Sequence, residues 1–255
     1  MIKENRLIRN TLTVVAALIL ATSFILPASA EEEAPSADLS VAVLSAYIWR
    51  GAEFSKDSIV IQPSMTVGYK GFSANVWGNL DTDPHESLGV EMNTWNETDF
   101  TVAYGMDFGS LSTELGYIYY GLEAADDSQE LYLSLGLDTL LSPTLTIYRD
   151  FAQYPGWYLL LGISHALELK DNIALELAGS VSYLSVDEDE FDDSFHDATI
   201  SASLPVTVTE YVTVTPSIAY VFPASSDAED RMESASVEGD EKDFFYGGVT
   251  ASFAF

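Results

Sequence analysis

Val249-Thr250-Ala251-Ser252-Phe253-Ala254-Phe255 is an alternating stretch that ends the chain on an aromatic. Val249, Ala251, Phe253 and Phe255 fall on one face; Thr250, Ser252 and Ala254 fall on the other. A period of two is the mark of a strand with one apolar side. The question it sets is whether the rest of the chain alternates as well.

It does. Ile59, Ile61, Met65, Val67 and Tyr69 share a face against Ser58, Gln62, Ser64 and Thr66. Phe100, Val102, Tyr104, Met106 and Phe108 oppose Asp99, Thr101, Ala103, Gly105 and Asp107. The pattern predicts strands over 38–50, 58–70, 72–81, 98–108, 110–120, 129–138, 143–150, 156–167, 172–184, 196–206, 210–222 and 243–255. Ten strands is the alternative, because 143–150 is short. The connections alternate in length, with short turns such as Lys70-Gly71 and Asp171-Asn172 and long loops such as 82–97, 185–195 and 223–242. Aromatics collect at strand ends: Tyr47, Trp49, Phe100, Tyr119, Trp157, Tyr183, Tyr220 and Phe245 at one, and Tyr69, Phe72, Phe108, Phe253 and Phe255 at the other. Pro63 and Pro216 sit inside strands, where a closed sheet has no edge to hide a missing N–H. Bulges there would absorb the cost.

The N-terminus reads as an export signal. Lys3, Arg6 and Arg9 precede an apolar run from Thr11 to Ile25, and Ala28-Ser29-Ala30 is a small-residue cleavage site before Glu31. No later apolar run approaches the roughly 20 residues of a membrane helix, yet 47% of the chain is hydrophobic. An exported chain of this kind suits a transmembrane barrel, whose apolar residues are diluted by alternation. The chain is expected to be all-β: a transmembrane antiparallel up-and-down β-barrel of about twelve strands. A signal peptide over 1–30 and a short periplasmic segment over 31–37 precede the barrel over 38–255. It resembles the bacterial outer-membrane barrels in its ending too. There the last strand closes the barrel, and Phe253 and Phe255 are read by the barrel-assembly machinery.

With that topology the short turns and both ends face the periplasm and the long loops face outside. The expected partners are outer-membrane lipid, lipopolysaccharide, the assembly machinery and a small solute. The formal charge is −30. The leader holds three basic residues and one acidic, so the chain from Glu31 carries −32. Nucleic acid is therefore not a partner. With no cysteine, thiolate metal sites and structural disulfides are excluded.

Ser45-Ala46-Tyr47-Ile48-Trp49-Arg50-Gly51 resembles the aromatic-x-aromatic-Arg-Gly signature of a family of outer-membrane barrels labelled Gcw_chp. Ile61-Gln62-Pro63-Ser64-Met65 and Gly71 to Asp81 are similar to the family's second and third strands. The resemblance covers residues 38–81 best and implies a fold and a location, not a substrate. Parity places Tyr47 and Trp49 on the lipid face and Arg50 inside, with Asn75, Trp77, Asn79 and Asp81 inward on a neighbouring strand. Arg50 is expected to pair with Asp81, as a clamp for a loop or a ligand for a solute.

Other inward candidates are Asp107, Glu114, Glu130 and Glu176, which would favour cations or neutral solutes, and Tyr132, Tyr148, Tyr158 and Tyr246, which offer stacking faces. Metal ligands, cofactor sites and catalytic residues are not expected. A twelve-stranded phospholipase needs a Ser–His pair on its lipid face; only His85, His165 and His196 exist, none in the context of that enzyme's motif. The run Asp187-Glu188-Asp189-Glu190-Phe191-Asp192-Asp193 lacks calcium-loop spacing and reads as a solvated outer loop. Two functions remain: a small porin-like channel, and a non-conducting barrel serving as a surface scaffold or adhesion platform.

Overall fold

The computed structural model describes residues 34–84, 94–123, 125–187 and 192–255. The expected leader over 1–30, His85 and residues 188–191 of the acidic run lie outside the described residues.

The chain forms β1 (Ser36–Leu44), a small hairpin of β2 (Ile48–Trp49) and β3 (Ala52–Glu53), then β4 (Val60–Tyr69), β5 (Phe72–Asp81), β6 (Thr94–Phe108) and β7 (Leu111–Leu122). It continues through β8 (Ser128–Leu137), β9 (Thr144–Asp150), β10 (Gly156–Lys170), β11 (Ile173–Val186) and β12 (Ser194–Ser203). The last elements are β13 (Val206–Thr207), β14 (Val212–Pro223), helix α1 (Ser226–Ser234) and β15 (Phe244–Ala254).

One antiparallel sheet of 13 strands contains all but the β2–β3 hairpin. Two-residue β13 continues β12 beyond Leu204-Pro205, so the wall has the twelve staves expected. Each pairs with its sequence neighbour, and β1 closes on β15 through a register running from Asp38↔Ala254 to Leu44↔Gly248. Closure leaves no free sheet edge, the one arrangement in which a β wall can cross lipid. No helix among the described residues is long and apolar enough to cross a membrane.

The outer face exposes Leu39, Val76, Leu115, Leu133, Ile163 and Ile200. Aromatics stand at its margins: Phe72, Phe108 and Phe255 at the end with the short turns, Phe100, Trp157 and Phe245 at the end with the long loops. Such a band flanked by rings is what two membrane interfaces select.

Neither internal proline is met by a bulge. Pro216 faces the break at Leu204-Pro205, where its carbonyl accepts from the Leu204 N–H at 2.9 Å, so no ladder donor is missed. Pro63 pairs with Val41 on β1, while the ladder to β5 is interrupted at Gln62-Pro63 without a change of register. There Gln62 Nε2 donates to Asn79 Oδ1 at 3.0 Å in place of the backbone.

The first expected strand is too long. It stops at Leu44 rather than Arg50, and the chain leaves the wall. Expected loop 223–242 contains α1, and Ser236 within it is only 8% exposed.

Inside the wall, Tyr132 lies over Gly116, its register partner; a Cβ on Gly116 would sit 2.3 Å from the Tyr132 ring. Tyr132 Oη donates to Glu114 Oε1 at 2.6 Å. Gly116→Val should push the ring aside and break that bond, destabilising the barrel by about 1–3 kcal/mol; urea unfolding in lipid vesicles, followed by tyrosine and tryptophan fluorescence, measures it.

Candidate functional site: a hairpin locked inside the lumen

Ser45 still bonds the wall, its N–H donating to Gly247 O at 2.9 Å. The chain then turns inward. Tyr47 N–H donates to Ser55 Oγ at 2.7 Å, and the hairpin pairs Ile48 with Glu53 and Trp49 with Ala52. Arg50 (φ 49) and Gly51 (φ 76) form its two-residue turn. Both central residues in the left-handed region is the pattern of a type I′ turn. Gly51 is required twice over, since a Cβ there would also lie 3.0 Å from Met232 Cγ and 3.2 Å from His196 Nε2. Tyr47 and Trp49, expected on the lipid face, are inside. Parity failed there because alternation carries no information once the backbone leaves the sheet.

In the closed strand order β9 stands opposite β1, and the hairpin spans the gap. Arg50 Nη1 and Nη2 donate to Glu130 Oε1 and Oε2 at 2.6 and 2.8 Å. Tyr120 Oη donates to the same carboxylate at 2.8 Å. The guanidinium lies 4.6 Å from the Tyr148 ring centroid, 4.3 Å from Tyr158 and 4.6 Å from Trp49. His196 Nε2 donates to Arg50 O at 2.9 Å. The expected partner was Asp81. That carboxylate instead accepts a hydrogen bond from the Ser58 hydroxyl, because the inward turn carries Arg50 away from its neighbouring wall. The planar, bidentate pair stacked on rings is a geometry that arginine forms and lysine does not.

The loop after β14 holds the hairpin from the rim. Ser225 caps α1, its Oγ accepting from Ala228 N–H at 3.1 Å, and Asp227 and Glu229 occupy the first turn, where the helix dipole favours negative charge. Fully buried Met232 packs with Val221 and Phe244, and Ile48 of the hairpin joins them. Glu53 N–H donates to Ala235 O at 3.0 Å, and Val237 N–H to Glu53 Oε2 at 2.9 Å. Lys56 reaches Glu241 and Glu238, each at 2.9 Å; these hydrogen bonds hold its ammonium above the ordinary range.

The lumen candidates face the interior, at different depths, while Phe255 stands at the outer margin. Glu130, Tyr148 and Tyr158 join Arg50. Tyr246 lines, with Arg50, Tyr148, Tyr158 and Asp197, a cavity of about 90 Å³ beside the hairpin, room for a few waters. Trp77 packs against Tyr47, and Asn79 bridges Gln62 and Asn96. Asn75 donates to Ser64 and Thr66, and Glu176 accepts from Ser203. Asp107 lies nearer the short turns. Sequence reasoning did not choose Glu97, Asp99, His196 or Asp197 as lumen candidates, although His196 was weighed as a member of a Ser–His pair. Asp99 shares the inward parity of Asp107, so its signal was present; Asp197 escapes parity because β11 and β12 shift register beside it.

A sequence model of bacterial proteins of unknown function, Gcw_chp, matches residues 30–220. The chain belongs to the Gcw_chp family. No curated protein sequence matches it. By structure this Gcw_chp chain is similar to the NanC porin, with a TM-score of 0.58 at 12% identity over 85% of this chain and 98% of that one. It is similar also to the KdgM porin, with a TM-score of 0.55 at 13% identity over 86% and 99%; KdgM is recorded in complex with disordered oligogalacturonate as well. The Gcw_chp fold is thus that of an outer-membrane, porin-like barrel, and its aromatic-x-aromatic-Arg-Gly segment is the hairpin that crosses the lumen.

Removing one partner of a buried ion pair strands the other charge, at a cost of about 3–5 kcal/mol. Arg50→Ala should destabilise the folded barrel by that amount, Arg50→Lys should recover only part of it, and Arg50→Ala with Glu130→Gln should recover more than half. Urea midpoints of the four proteins in vesicles give the comparison.

Proposed function

We propose that this protein is a small outer-membrane channel, not an enzyme, that admits small cations or small neutral solutes through a lumen narrowed by the Arg50 hairpin. The sign of the interior carries this proposal. Arg50 is matched by Glu130, while Glu97, Asp99, Glu114 and Asp197 are buried carboxyl side chains of the inner face. Carboxylates along a pore favour cations and repel anions. An acidic oligosaccharide of the kind recorded with KdgM would meet these groups, which disfavours it as the cargo. Below the hairpin, toward the short turns, strand parity turns Ser40, Ser64, Thr101, Ser134, Gly162 and Ser217 inward, and all six are small. Neither His165 nor His196 offers a Ser–His pair: each ring bonds a backbone carbonyl, of Leu140 and Arg50 respectively.

A second function, a non-conducting surface barrel, is favoured by the hairpin and α1, which together fill the long-loop end. Planar-bilayer recordings separate the two. The channel should conduct with a reversal potential on the cation side in a potassium chloride gradient, and Arg50→Ala should raise its conductance at least about twofold by removing the side chain that crosses the lumen. Absence of conductance, or anion preference, would overturn the channel.

The long-loop end is proposed to face outside the cell, for both described termini lie at the other end. Exposed Asp240 and Asn172 stand at opposite rims. A cysteine replacing Asp240 should react in whole cells with a membrane-impermeant maleimide, and one replacing Asn172 should not.

A further inference from the structure

One side of the lumen, from β5 to β7, holds polar groups that the Arg50 contacts do not use. Asp99 is 3% exposed. Its register partners are Trp77 on β5 and Tyr120 on β7, so one carboxylate stands between two rings on the inner face. The inward segment adds two more. The Tyr47 ring lies 5.7 Å from Trp77, and Trp49 lies edge-on to Tyr120 at 5.9 Å.

Neither oxygen of Asp99 has a hydrogen-bond donor in good geometry; the Gly121 N–H and the Glu97 carboxyl are its polar neighbours. Glu97, also buried, stands one inward position nearer the loops. The Tyr47 hydroxyl faces it without closing a hydrogen bond, and Trp49 Nε1 and Trp77 Nε1 are buried without acceptors. Arg50 is committed to Glu130, and among the described residues no Lys or Arg pairs with Glu97 or Asp99.

A buried carboxylate without a counter-charge is costly, and a proton or a cation relieves it. The rings favour a cation, because their faces attract one. A hard divalent ion wants six or more oxygens, and no group of three His, Asp or Glu among the described residues is placed to hold a metal ion. An alkylammonium head needs less: its N–H donors match the open carboxylate oxygens, and its carbons lie on rings. A quaternary head has no N–H donor for those oxygens.

We propose that Asp99, walled by Tyr47, Trp77 and Tyr120 with Trp49 and Glu97 at the margin, binds the primary-ammonium head of a small organic amine. The proposal rests on the channel for the amine's route, and makes such amines its class of cargo; the binding itself is measured apart from transport.

The test is titration of the folded, full-length barrel in detergent micelles with ethylammonium chloride, read by tryptophan fluorescence. Ethanol is the neutral isostere, sodium chloride the ionic control and tetramethylammonium chloride the bulky one. A saturable change at millimolar ethylammonium, absent with all three controls, is expected. Asp99→Asn should weaken it about tenfold, and Trp77→Leu likewise, while Trp95→Phe and Trp157→Phe, on the outer face, should leave it unchanged. Heat-modifiable migration on gels identifies which variants fold, so either lumen variant suffices. No saturable change in the wild type, an equal response to ethanol, a response to pH alone, or an unchanged response in folded Asp99→Asn or Trp77→Leu would overturn the site. A barrel that conducts but does not bind ethylammonium loses this site and keeps the channel; one that binds without conducting loses only the channel.

Discussion

Closure of the sheet between β1 and β15 is the constraint on which the rest of the structure depends. In hydrocarbon every wall N–H and C=O needs a partner, and a sheet satisfies all of them only when its last strand meets its first. Closure fixes which face is outside, and the outside must be apolar. A chain carrying −30 must then place its charge at the rims or in the lumen. The acidic interior follows from that restriction before any solute is considered.

Charge inside a barrel has its own cost, and the structure meets it with one crossing segment. The hairpin from Tyr47 to Glu53 brings a single guanidinium to Glu130, stacks it between Tyr148, Tyr158 and Trp49, and anchors its backbone to His196. The anchoring is reciprocal. Glu53 and Lys56, beyond the turn, bind the loop that carries α1, and Met232 of α1 fills the space that Gly51 leaves free. Hairpin, helix and ion pair therefore form one unit, and a change in any of them is felt at the narrowest part of the lumen. The carboxylates that Arg50 does not reach, Glu97 and Asp99 above all, set the electrostatics of the passage beside it.

Strand period, turn residues and aromatic margins are local properties, and they were legible in the chain. β5 has the bounds expected of it, Lys70-Gly71 is a tight turn, and Asn75, Trp77 and Asn79 face inward as parity requires. The limit of that reasoning is visible at Tyr47, Trp49 and Arg50. Their alternation continues that of β1, so the pattern extends the strand, whereas the backbone departs at Ser45 to cross the lumen. Pro63 and Pro216 carry the same lesson. Their missing donors are harmless because of where the ladder to a neighbouring strand is interrupted, a relation between residues far apart in the chain.

The sequence by itself determined the class: an alternating chain with twelve apolar stripes, short turns and long loops in succession has no stable form but a closed wall, since period two decides which side each residue takes. Only the tertiary structure decided what the wall encloses. The pairing of Arg50 with Glu130, eighty positions apart, the seating of Met232 on Gly51, and the grouping of Asp99 with rings from two strands and the inward segment depend on which staves stand opposite or adjacent after closure. That arrangement arises from the whole ring of strands, and no local period encodes it.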